Sequence, residues 1–125
     1  MQTFLRFLNL VASSASASAA AIALYQPSSL SGSDNVQHGE LFYARMYAAR
    51  SIPLGLAFGV LPYWPGGVAV PWILFTAAVI QLVDVGIAMD KKDRGMMIGA
   101  SIGAAIHVLC GMGELGHFGT DTSNF

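Results

Sequence analysis

VPWILFTAAVIQLVDVGIAM-DKKDRG-MMIGASIGAAIHVLCGMGEL, residues 70–115, is the stretch whose reading decides the fold. Two apolar runs, 70–89 and 96–115, each match the roughly 20 residues a helix needs to cross a bilayer. Between them Asp90, Lys91, Lys92, Asp93 and Arg94 crowd into a charged hexapeptide closed by Gly95. That punctuation predicts two spanning helices joined by a solvated hairpin. The second run carries Gly95, Gly99, Gly103, His107 and Gly111 in steps of four. A four-residue step drifts by about 40° around a helix, so the glycines predict a slowly winding groove. The Gly99/Gly103 part of it would accept another helix, from a partner or from a second copy of the chain.

Upstream, residues 41–61 predict another helix, interrupted by Pro53, which removes one backbone donor and should bend it near Ala49. Gly55 and Gly59 form a close-packing pair. Tyr63-Trp64-Pro65-Gly66-Gly67 predicts a tight turn whose aromatics suit the bilayer interface, as does Trp72. Residues 26–40, with Pro27, Gly32, Asp34, Asn35, His38 and Glu40, predict the one long connection. Residues 4–25 are apolar at first and then Ser/Ala-rich. Arg6, a short apolar core and small residues also satisfy the grammar of a cleaved signal peptide. Against that, Ile22 to Tyr25 extend the run to spanning length, and Ser14/Ser18 with Ala15/Ala19 repeat a small-xxx-small spacing.

The expectation is an all-α, single-domain bundle of four transmembrane helices, at about 4–25, 41–61, 70–89 and 96–115. Composition agrees: of 125 residues, 54% are hydrophobic and 10% charged, against about 25% charged in soluble domains. Six dispersed basic residues and a net charge of −1 exclude a nucleic-acid footprint. Cys110 is the only cysteine, which excludes an internal disulfide or a thiolate zinc site. Lys91, Lys92 and Arg94, with Arg45 and Arg50 at the same end, outnumber Arg6 and place both termini away from the cytosol.

Charges inside spans are costly and usually face the bundle interior. Arg50 lies roughly 13 Å along its helix, Asp84 roughly 8 Å and His107 roughly 16 Å from the same side of the bilayer, so the three predict a cluster in one half of the membrane. Tyr43, Tyr47, Arg50 and Leu54 share a face, whereas Arg45 is about 140° from Arg50 and close enough to the interface to snorkel. Gln81 and Asp84 share a face three residues apart. Two readings stay open. Arg50 and Asp84 form an ion pair that fixes helix register, with His107 bonded to a carbonyl; or Asp84 and His107 are an acid/base pair oriented by Arg50, with Tyr47 or Gln81 holding a substrate oxygen. One His and one Asp do not make a metal site, and no cofactor fingerprint is present. Glu114, His117 and Asp121 read as a solvated cap.

The run Tyr43-Ala44-Arg45-Met46-Tyr47-Ala48-Ala49-Arg50, then Pro53-Leu54-Gly55, then Asp84 before a charged turn and His107 on the last helix, resembles small four-helix membrane proteins. These are known in fungi and bacteria as a domain of unknown function and look akin to the DoxX-like membrane proteins. The likeness covers about residues 8–112; the Ser/Ala-rich first helix departs from the pattern. It implies a four-helix fold with Arg50, Asp84 and His107 as recurring polar positions, and no established activity. Some such proteins look like members of fungal secondary-metabolite pathways, where a membrane isomerase, cyclase or epoxide-opening enzyme meets a lipophilic substrate. The leading expectation is therefore proton-transfer chemistry on a lipophilic metabolite. A non-catalytic accessory subunit of a membrane complex is the alternative from another class. A small proton-coupled carrier ranks last, because four helices are few for alternating access.

Overall fold

The computed structural model describes residues 1–64 and 67–121, with residues 30–31 and 117–121 described by their backbone alone. The chain is all-helical. Long helices α1 (Gln2–Tyr25), α3 (His38–Val60), α4 (Ala69–Lys91) and α5 (Arg94–Asp121) carry the architecture, with a single turn, α2 (Ser28–Ser31), in the first connection and a 3₁₀ turn at Leu61–Tyr63.

Local chemistry explains the boundaries. The Ser/Ala run of α1 stays helical because alanine is the best helix former, and Ser18 bonds back to the Ser14 carbonyl at 2.8 Å. α3 begins at His38, three residues ahead of expectation, because the Glu40 carboxylate accepts the Gln37 backbone N–H at 2.7 Å and satisfies one orphan donor of the first turn. His38 and Glu40 are thus helical, not loop residues. Pro53 lies inside α3, which nonetheless runs unbroken to Val60. The charged hexapeptide shrinks to a turn at Lys92 and Asp93. Lys92 adopts φ 56°, ψ 30° and closes α4, the Asp93 N–H bonds the Ala88 carbonyl at 2.9 Å, and Asp93 Oδ1 accepts the Met96 N–H at 3.0 Å to open α5. Pro65 and Gly66 of the other turn lie outside the described residues.

The helices pair as two antiparallel hairpins, α1 with α3 and α4 with α5, joined along α1 and α5, while α3 and α4 scarcely touch. Close approach of α1 and α3 depends on glycine. A Cβ at Gly55 would stand 2.9 Å from the Ser13 carbonyl oxygen and 3.0 Å from Ala17 Cβ, and one at Gly59 would meet Leu10 and Ser13. The packed face of α1 is therefore Asn9, Ser13, Ala17 and Ala20; Ser14, Ser18, Ala15 and Ala19 are exposed, which corrects the expected small-residue face. In the second hairpin Gly103 receives the Gln81 side chain and Gly111 the Phe75 ring. The glycine groove of α5 is thus partly filled from within. Gly99 has nothing within 4 Å.

The interior is built mainly of small residues, with Asn9, Ser13, His107 and Glu114 as its buried polar groups, and the exterior is large and apolar. Alanines and glycines supply most buried positions, around a compact Val70–Leu74–Cys110 cluster. Phe4, Phe7, Trp72, Ile98, Ile102 and Met112 are each more than half exposed. A water-soluble domain has the reverse arrangement, whereas small interfacial residues and outward bulk are how helices pack in hydrocarbon. Three helices, α1, α4 and the stretch of α5 up to Gly116, are long and apolar enough to cross a membrane. α3 is not among them, because Glu40, Arg45, Arg50 and Pro53 dilute its apolar character.

Candidate functional site

A ladder of polar groups runs up the inner face of α1. Nearest the N-terminus, Arg6 Nε and Nη2 meet Glu114 Oε1 and Oε2 at 2.7 and 2.9 Å, a two-pronged ion pair across α1 and α5. The carboxylate is the more deeply placed partner, with its side chain 5% exposed against 28% for Arg6. Glu114 is consequently no solvated cap: α5 continues past it, and its charge is buried and paired as a charge in low dielectric must be. The side chains of His117 and Asp121 lie outside the described residues.

One turn along, Asn9 is fully buried and ties three helices together. Its Nδ2 donates to the Phe58 carbonyl of α3 at 2.7 Å, and its Oδ1 stands 2.7 Å from Nδ1 of His107 on α5. The carbonyl can only accept, so the Asn9 NH₂ must face it and the amide oxygen must face the imidazole. His107 Nδ1 therefore carries the proton, which leaves Nε2 as the basic nitrogen of the neutral ring. The Phe58 ring meets His107 edge-on, centroids 6.4 Å apart, and fixes the imidazole from the side.

Beyond this anchor lies a central cavity of about 60 Å³ reached by all four long helices. Ser13 and Ser16 line it from α1, Tyr47 and Ser51 from α3, Gln81 and Asp84 from α4, and His107 from α5. Ser13 is 1% exposed, and its Oγ is buried with no hydrogen-bond partner among the described residues. A larger cleft of about 420 Å³ opens between α1 and α5. Leu8, Val11, Ile102 and Ile106 give it apolar walls, and Gly99 contributes an open patch of backbone. Ser16, Tyr47, Gln81 and Asp84 belong to both spaces, so a polar partition separates the apolar cleft from the central cavity.

Four of the five residues singled out from the sequence thus come together: Asp84 and His107 share the central cavity, and Tyr47 and Gln81 flank Asp84 on the partition. Arg50 does not join them. It is exposed and forms no ion pair with Asp84, so the register-fixing pair is not present. Arg45 is exposed as well. Among the described residues no group of three or more His, Cys, Asp or Glu side chains is arranged to hold a metal ion. Asn9, Ser13 and the Arg6–Glu114 pair were not anticipated. The available signal was that Asn9 is an amide within an apolar run and that Arg6 and Glu114 fall at the same end of antiparallel helices. No protein-family model, curated protein or solved structure matches the chain.

Proposed function

We propose that this chain is a four-helix integral membrane protein that admits a lipophilic small molecule into the α1–α5 cleft and moves a proton on it at Asp84. The observation that carries the reading is the partition: an ionisable carboxyl beside an amide, a phenol and the Ser16 hydroxyl, at the inner wall of a cleft whose remaining walls are apolar. A cleft of about 420 Å³ falls within the roughly 300–1,000 Å³ typical of small-molecule sites. Tyr47 and Gln81 would hold a substrate oxygen while Asp84 gives or takes the proton, with His107 behind it as the second acid/base group. An isomerisation, a cyclisation or an epoxide opening all suit one carboxyl and a shielded substrate. The likeness to DoxX-like proteins implies no established activity and supports the four-helix fold alone in our reading, without a role for Arg50.

The membrane setting rests on the inverted surface and on three apolar helices. α3, antiparallel to α1 and about 34 Å long at 1.5 Å per residue, would make the fourth crossing. The basic end, with Lys91, Lys92 and Arg94, would face the cytosol and both termini the opposite side.

The test is comparative metabolite profiling of the source organism with the gene intact, deleted, and replaced by Asp84→Asn. The same new lipophilic compound in deletion and substitution supports the proposal; a deletion without metabolic effect removes it. The open backbone at Gly99 favours a second reading, an accessory subunit whose cleft seats a partner helix. Gly99→Leu would then shrink the complex seen in mild detergent, whereas under the first reading assembly size is unchanged and the new compound accumulates.

A further inference from the structure

We propose that the central cavity is a water site, and that its waters join Asp84 to Nε2 of His107 as one proton-exchanging unit. The inference rests on the acid/base reading of Asp84 for its purpose, but not for its evidence. First, the space fits: about 60 Å³ exceeds the roughly 10–15 Å³ that a cavity needs to hold a water. Second, seven side chains with polar atoms stand among the residues that line it, beside apolar Leu54, Phe58, Ala77 and Ile80. Dry cavities in proteins are apolar, whereas a site for water needs two to four polar partners per molecule, and here serine hydroxyls, a phenol, an amide, a carboxyl and an imidazole converge from four helices.

Third, Ser13 has a polar atom that the protein itself leaves unmatched. Its Oγ is buried without a partner, although a helical serine can usually bond the carbonyl one turn back, as Ser18 does at 2.8 Å. A buried hydroxyl left without a hydrogen bond is destabilising, and a water in the cavity that Ser13 lines would supply the missing partner. Fourth, the His107 tautomer is set by Asn9, which does not line the cavity. Asn9 holds Nδ1–H, so the nitrogen left for the cavity is the basic one.

The transfer balances. A proton leaves the Asp84 carboxyl, each water passes one on, and Nε2 accepts one. The products are the Asp84 carboxylate and an imidazolium whose Nδ1–H remains on Asn9. The reverse passage restores the resting state, so Asp84 can exchange a proton with the interior while a lipophilic ligand closes the cleft side.

The experiment is magic-angle-spinning NMR of the full chain in lipid bilayers, without substrate, with water-edited spectra and ¹⁵N-labelled histidine. The expected result is water transfer to Ser13 and His107, a protonated Nδ1 and a bare Nε2, with the Nε2 resonance moving in Asp84→Asn while Nδ1 stays in place. Ser51→Leu, which fills the cavity from α3 and leaves the α1–α3 glycine contact intact, should abolish water transfer to His107. Absence of water transfer to Ser13 and His107 in the unaltered protein, a proton on Nε2, or an Nε2 resonance indifferent to Asp84→Asn would each overturn the proposal. A dry cavity combined with lost turnover in Asp84→Asn leaves the acid/base reading standing with Asp84 alone. A wet cavity combined with unaltered metabolites removes that reading and keeps the water site.

Discussion

His107 on α5 donates its Nδ1 proton to the Asn9 amide oxygen on α1 across 2.7 Å, while the same amide donates to the Phe58 carbonyl on α3 at 2.7 Å. One side chain thereby fixes the relative positions of three helices and the tautomer of the only imidazole inside the bundle among the described residues. Asn9→Ala removes both bonds and strands a donor and an acceptor in the interior. Interhelical hydrogen bonds in membranes average about 0.6 kcal/mol, with a maximum near 1.7, so the loss should be about 1–2 kcal/mol. Unfolding in mixed micelles by SDS titration measures it, and a change under about 0.3 kcal/mol would show that Asn9 does not bridge the helices.

The Arg6–Glu114 pair predicts non-additivity. Arg6→Leu leaves the Glu114 carboxylate buried without its partner, a change that costs about 3–5 kcal/mol in fully buried pairs and should cost less here because Arg6 is partly exposed. The double substitution Arg6→Leu/Glu114→Leu removes the stranded charge and should recover most of the loss, since apolar replacement of a buried pair is often neutral. A double-mutant cycle in the same SDS assay reads the coupling. Losses that simply add would show that the two side chains do not pair.

Arg50 predicts the opposite outcome. It is exposed and outside the Asp84 site, so Arg50→Leu should leave folded yield unchanged and stability within about 0.5 kcal/mol, as for surface positions remote from any network. The metabolite profile should also match the unaltered strain. A loss of several kcal/mol would restore the ion pair with Asp84.

Most of the fold was legible because hydrophobic run length and the Asp90–Gly95 break leave little freedom in placing helices. Asp84, His107, Tyr47 and Gln81 were legible as a group because polar residues in apolar helices turn inward. Arg50 misled because the inner face of α3 was drawn through its large side chains, Tyr43, Tyr47 and Leu54. Its buried face is Ala44, Ala48, Gly55 and Gly59, and at Gly55 and Gly59 small size permits the approach of α1; Tyr47 and Leu54 border the cavity on one flank, and Tyr43 and Arg50 continue outward to exposure. Asn9 and Ser13 escaped notice for a related reason. Neither bears a charge, and their importance arises from which helices α1 meets, a property of the bundle and not of the segment. Glu114 was misplaced because the end of α5 was drawn where the apolar run stops, whereas an ion pair with Arg6 lets a charged residue continue the buried face.

Two glycines on different faces give the sharpest test of that packing. At Gly55 an added methyl would meet the Ser13 backbone oxygen at 2.9 Å and Ala17 Cβ at 3.0 Å, atoms that move only if α1 and α3 separate. Gly55→Ala should therefore cost about 1–3 kcal/mol, the range for overpacking a tight core. At Gly99 nothing lies within 4 Å, so Gly99→Ala meets no obstacle and gains helix propensity, up to about 1 kcal/mol in water-soluble helices. Stability to SDS should fall for the first and hold or rise for the second. An equal loss at both positions would mean that the α1–α5 cleft is covered by a helix from another chain, and would move the balance from a small-molecule cleft to the accessory-subunit reading.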